Sequence, residues 1–132
     1  MKTAVVILGI MAELWATLAV AADHAQPQTI EGLYAECKSA DSIQGNYCIR
    51  YLQGAASIMH AAAMIVTDSN TPDADKRALF VMAICSRTPI SGEQLRAAFI
   101  NWAGKNQKYW QRDVGFGAWA ALQAAWPCQK PK

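Results

Sequence analysis

The sequence predicts an all-α fold: a small disulfide-stapled bundle of about four to five helices. Three features carry that reading. Beyond residue 21 the chain is alanine-rich and poor in long β-branched alternations, its apolar residues recur at helical spacing almost everywhere outside the turns, and it holds all four cysteines.

The opening segment, "MKTAVVILGIMAELWATLAVAADHA", places Lys2 before a long apolar run that ends in small residues. This is the pattern of a secretory signal peptide, with cleavage expected after Ala21, where Ala19 and Ala21 supply the small side chains a peptidase needs. A transmembrane anchor is the alternative, but Glu13 interrupts the run and no basic stop-transfer cluster follows. No cysteine stands at the cleavage site, so nothing indicates a lipoprotein. Residues 22–132 are then expected to form one domain with one core. The chain carries 12 Lys plus Arg against 10 Asp plus Glu, and the signal removes one of each sign, leaving a net charge of +2. So mild a balance points to neither nucleic acid nor an anionic membrane surface.

Export leads to an oxidising compartment, where Cys37, Cys48, Cys85 and Cys128 are expected to form two disulfides. Three pairings are possible, and the sequence alone leaves the choice open. Joining Cys37 to Cys48 closes a short loop and leaves Cys85 to hold the end of the chain through Cys128. Each bridge would contribute roughly 2–4 kcal/mol.

In "TIEGLYAECKSA", Ile30, Leu33, Tyr34 and Cys37 share one helical face, with Thr29 as N-cap. "SADSIQGN" reads as a linker. The longest helix is expected from about Tyr47 to Val66, with Cys48, Tyr51, Leu52, Ala55, Met59, Ala62, Ala63 and Val66 as its apolar stripe. "TDSNTPDADKR" is a polar loop whose Pro72 and acidic residues suit a helix start, and "ALFVMAIC" is expected to continue as a short helix ending near Cys85. After the turn at Thr88 and Pro89, Ser91 and Gln94 form a capping-box pattern ahead of Leu95, Ala98, Phe99 and Trp102, with Gly104 as a stop or kink. Asp113 can cap a last helix that Pro127 ends, although Gly115 and Gly117 each weaken its start by roughly 1 kcal/mol.

Catalytic chemistry finds little support. A nucleophilic cysteine needs a neighbouring base, and the two histidines, His24 and His60, lie in an expected flexible N-terminus and an alanine-rich helix. Ser86 lacks the Gly-x-Ser-x-Gly elbow, and no phosphate loop is present. Cysteine spacings of 11, 37 and 43 contain no metal-binding pair, so neither a metal nor a cofactor is expected. The carboxylates fall mostly in turns and at helix starts, where dipoles and solubility account for them. Aromatics crowd the C-terminal third: Trp102, Tyr109, Trp110, Trp119 and Trp126. Trp102 fits a core stripe, whereas Tyr109 and Trp110 lie in the polar connector "GKNQKYWQRD", flanked by Lys105, Lys108 and Arg112. They form either a partner-binding tip or an inward-folded pair.

Taken in order, these landmarks resemble the Rap/Tai family of immunity proteins, which protect Gram-negative bacteria from peptidoglycan amidase toxins of the type VI secretion system. The resemblance runs over about residues 29 to 128 and rests on "GLYAECKS", "YCIRYLQGAAS", "ICSRTPISGEQLRAAFINWA" and "AALQAAWPC". "CSRTP" is longer than the family's usual turn, and Trp126 replaces its usual phenylalanine. The resemblance implies a periplasmic helical protein without enzymatic activity, often dimeric, that inhibits a cell-wall amidase by covering its active-site groove. Its partner would be that effector, with no nucleic acid and no membrane after signal cleavage. Expected contact residues lie in two loops: Asp68, Asn70 and Asp73 in one, and Lys108, Tyr109, Trp110 and Arg112 in the other. The alternative is a periplasmic chaperone-like or stress-response helical protein, which would bind many clients in place of one.

Overall fold

The computed structural model describes residues 27–129, so the expected signal peptide lies outside the described residues. Within them the chain is all-α, with five α-helices and one short 3-10 turn. Helix α1 spans Ile30–Lys38, and the Thr29 side chain accepts from the Gly32 amide at 3.2 Å to cap it. Its inward face buries Ile30, Leu33 and Cys37 completely.

Helix α2 spans Ser42–Thr67 and begins earlier than the composition of "SADSIQGN" indicates. The Asp41 carboxylate accepts from the Ile43 amide at 2.7 Å and from Gln44, so the turn shrinks to residues 39–41 and the expected linker becomes the first turns of the helix. Cys48, in its second turn, joins Cys37 with Cα atoms 5.1 Å apart, and both cysteines are fully buried. The Arg96 guanidinium adds a further tie by donating to the carbonyls of Cys37 and Ser39 at 2.6 and 3.3 Å, at the negative end of α1.

Helix α3 spans Asp73–Phe80, and so stops short of the end expected near Cys85. Beyond it Val81 and Met82 turn and residues 83–86 are neither helix nor strand. The reason is tertiary: Trp119 and Gln123 donate to the Val81 carbonyl at 2.8 and 2.6 Å, and Gln123 also reaches Ala83. The amides of Ile84 and Cys85 bond to the carbonyls of Met59 and Trp126 at 3.3 and 3.0 Å. Side chains of the last helix thus take over the hydrogen bonds that a longer α3 would have made. The second disulfide, Cys85 to Cys128, closes the same seam.

Helix α4 spans Gly92–Lys105 behind a complete capping box between Ser91 and Gln94. It passes through Gly104 without a break, and the Tyr34 hydroxyl lies 3.4 Å from the place a Cβ would occupy there. A 3-10 turn at Gln107–Tyr109 leads to α5, Val114–Ala125, which Asp113 caps through Gly115 and Phe116. The two capping residues Thr29 and Asp113 form a bridge, and the Ile30 and Glu31 amides donate to the carbonyls of Arg112 and Trp110, both at 3.1 Å. The connector is therefore pinned to the start of α1.

Helices α1, α2, α4 and α5 surround one core of Ile30, Leu33, Leu52, Leu95, Phe99 and Leu122, closed from the side by Ile84. Helix α3 instead packs on the distal half of α2, over a smaller cluster of Ala62, Ala63 and Ala83 with Val66 and Leu79. Among the described residues no helix is long and apolar enough to cross a membrane.

Candidate functional site

Three surfaces stand out once the helices are in place. The first is the connector before α5. Trp110 folds back: its indole N–H donates to the Ala103 carbonyl at 2.9 Å and its ring meets Tyr34 at 5.3 Å. Tyr109 lies parallel to Trp102 and presents an edge to Phe116, with ring centres 6.4 and 5.8 Å away. Phe116 in turn meets Trp119 at 5.7 Å. All of these rings are half-buried, so the connector presents a fixed aromatic wall with no free tip. Cations lie along it, with the Arg112 guanidinium 4.0 Å over the Phe116 ring and the Lys108 ammonium 4.9 Å from Tyr109. Phe116 was not singled out by the sequence, although its place in the first turn of a capped helix, four residues after Arg112, is a usable signal.

The second surface is the loop between α2 and α3. Asp68 ends α2 and turns its carboxylate onto the Asn70 amide at 3.0 Å, while Asp73 opens α3; all three side chains are exposed. The structure does not bring this loop to the aromatic wall. Gly115, at the start of α5, lies beside Tyr51, and the 17 residues from Tyr51 to Asp68 climb about 25 Å along α2. The two sets of expected contact residues are separate surfaces.

The third is an open cleft of about 650 Å³ between α2 and the segment Ser86–Ile90, which sequence reasoning missed. Gln53, Ser57 and His60, a single row on α2, form one wall; Ser86, Arg87 and Thr88 form the other, over a floor that includes Ile84, Ile90 and Leu95. Cys85 adjoins the cleft but is held in its disulfide, which makes it a structural anchor. Among the described residues no cluster of three or more His, Cys, Asp or Glu side chains could hold a metal ion.

On the opposite side of α2, burial and then the Asp113 carboxylate and Tyr47 raise the Tyr51 hydroxyl above its ordinary pKa. Burial followed by Glu36 does the same to Tyr47, whose ring lies 6.5 Å from that of Tyr51. Both hydroxyls are donors at neutral pH.

No curated protein and no solved structure matches the chain. A family model described as Rap1a immunity proteins matches residues 29–128, from the cap of α1 to the second cysteine of the last disulfide. That span takes in every helix among the described residues, both disulfides and all three surfaces, and the chain therefore belongs to the Rap1a immunity protein family, whose members are inhibitors and not enzymes.

Proposed function

We propose that this immunity protein is exported by residues 1–21 to the periplasm, where it binds a peptidoglycan amidase effector of the type VI secretion system and occludes its active site. The family match across the whole helical domain carries the reading. The aromatic wall supports it physically. Tyr109 and Arg112 are residue types enriched in binding hot spots and Phe116 is of a type enriched in interfaces; the two rings are already packed, with the guanidinium over one of them, so little ordering is needed on association. The Asp68, Asn70 and Asp73 loop offers a second, acidic contact. Trp110 supports the wall from behind through its bond to Ala103.

The reading includes a homodimer. Gly54, Ile58, Ala61 and Ile65 recur along one solvent face of α2; Ile58 is 68 % exposed, and nothing lies within 4 Å of a Cβ placed on Gly54. Alternation of small and large side chains allows the same face of a second copy to interlock with it.

The test is a peptidoglycan-hydrolysis assay with purified amidase effectors and the mature chain. One effector should be inhibited at near-equimolar ratio, and the double substitution Tyr109→Ala with Arg112→Glu should weaken that inhibition at least tenfold. Failure to inhibit any effector that lyses cells lacking the chain would refute the proposal. Light scattering across a concentration series, with Ile58→Glu as the control, tests the dimer.

A further inference from the structure

We infer that the cleft between α2 and Ser86–Ile90 is a preformed receptor for a segment of the effector that carries an apolar side chain next to a carboxylate. This inference rests on the immunity reading and adds the chemistry of one contact to it.

The walls of the cleft are fixed before any partner arrives. At one end of the segment Cys85 is tied to Cys128, the Cys85 amide donates to the Trp126 carbonyl at 3.0 Å, and the Ile84 amide donates to Met59. At the other end, Ser91 enters the capping box of α4. Between them the Ser86 hydroxyl donates to the Thr88 carbonyl at 2.6 Å, and the ring of Pro89 restricts its own backbone. A loop held in this way loses little entropy when it is contacted.

The lining sets the chemistry of the guest. Its floor of Ala56, Ile84, Ile90 and Leu95 is apolar, and its only ionisable side chains are His60 and Arg87, with no carboxylate among them. Arg87 makes no ion pair among the described residues, whereas Arg96 pairs with Glu93 and Arg112 lies over Phe116. An unpaired guanidinium at the lip of an apolar trough fits a carboxylate bidentately while the adjacent side chain fills the floor. A basic segment would meet repulsion there, and a wholly apolar one would leave Arg87 without a partner.

The experiment uses the full mature chain and a purified amidase effector that the wild type binds. Affinity is measured by calorimetry for Arg87→Glu and for Ser57→Trp, whose indole would fill the trough; both positions are on the surface, and circular dichroism with thermal melting checks the fold. Each variant should bind at least tenfold more weakly, a loss of about 1.4 kcal/mol. A photo-crosslinking residue at position 57 should then capture an effector peptide containing Asp or Glu beside an apolar residue. Unchanged affinity in both variants, or crosslinking to a basic segment of the effector, would overturn the inference and leave the immunity reading standing. A wild type that binds no amidase effector overturns both.

Discussion

Gly117 lies where α5 crosses the first turn of α1, and replacing it with alanine sets two opposing effects against each other. In a helix interior, alanine is favoured over glycine by about 1 kcal/mol. At this position, however, the new Cβ would lie 2.5 Å from Cγ1 and 3.0 Å from Cδ1 of Ile30. Ile30 is fully buried and its amide is bonded to the Arg112 carbonyl, so it has little room to withdraw. Overpacking of this kind costs about 1–3 kcal/mol, which exceeds the helical gain over most of its range. Gly117→Ala should therefore destabilise the domain by about 1 kcal/mol net, lowering the midpoint of a thermal melt by about 4–8 °C. Gly54→Ala, the same change in a helix where nothing of the same chain lies within 4 Å, should raise it when the melt is run at a concentration that keeps the chain monomeric. In an Ile30→Ala background only the more distant Cβ, at 3.4 Å, remains, so Gly117→Ala should there become neutral or stabilising. A double-mutant cycle followed by circular dichroism measures the coupling. If Gly117→Ala stabilises the wild type as much as Gly54→Ala does, close approach of α5 to Ile30 is not the reason for the glycine.

Asp113→Ala removes the cap from α5 and should cost about 1 kcal/mol in urea unfolding, while Asp113→Asn retains most of it. The disulfides should reduce in order: Cys85 is exposed and Cys128 half-buried, whereas Cys37 and Cys48 are shielded, so timed alkylation with mass spectrometry should find the 85–128 bridge open first. The raised pKa of Tyr51 means that the folded state holds this proton more tightly than the unfolded chain does. Its contribution is complete below about pH 10, the ordinary tyrosine range, and is lost as the pH rises through the higher folded value. Alkaline denaturation should therefore be less steep in Tyr51→Phe; an unchanged slope would assign that pH dependence to other groups.

Local signals made much of the fold legible. Thr29, Ser91 with Gln94, and Asp113 each combine a capping side chain with an apolar run behind it, and each caps its helix in the structure. The misreadings arose where local signals conflicted or tertiary bonds decided. "SADSIQGN" has loop composition, yet the Asp41 carboxylate satisfies the first amides of α2 and its residues become helical. "ALFVMAIC" has helical composition beyond Phe80, yet Trp119 and Gln123, some 40 residues later, hold the Val81 and Ala83 carbonyls outside a helix. Gly117 looked like a local weakness in α5; its reason is Ile30, on another helix.

The same distinction explains which surfaces could be foreseen. The Asp68–Asp73 loop and the Lys105–Arg112 connector are continuous in sequence, so their polarity could be read directly. The cleft is assembled from a row on α2 and a segment about 30 residues away, brought together by the Ile84 to Met59 hydrogen bond and anchored by Cys85. His60 on an alanine-rich helix and Arg87 in a turn carry no signal singly. Their relation exists only once the second disulfide and α5 hold residues 81–85 away from the helix their composition favours. The features that ended α3 early thus also built the rigid wall of the cleft. A variant that restored the longer helix, with Trp119 and Gln123 both changed to Ala, should release residues 81–85 and raise amide hydrogen exchange at Ile84 and Cys85. Exchange there as slow as in the wild type would show that the disulfide and the backbone bonds to Met59 and Trp126 hold the wall without those side chains.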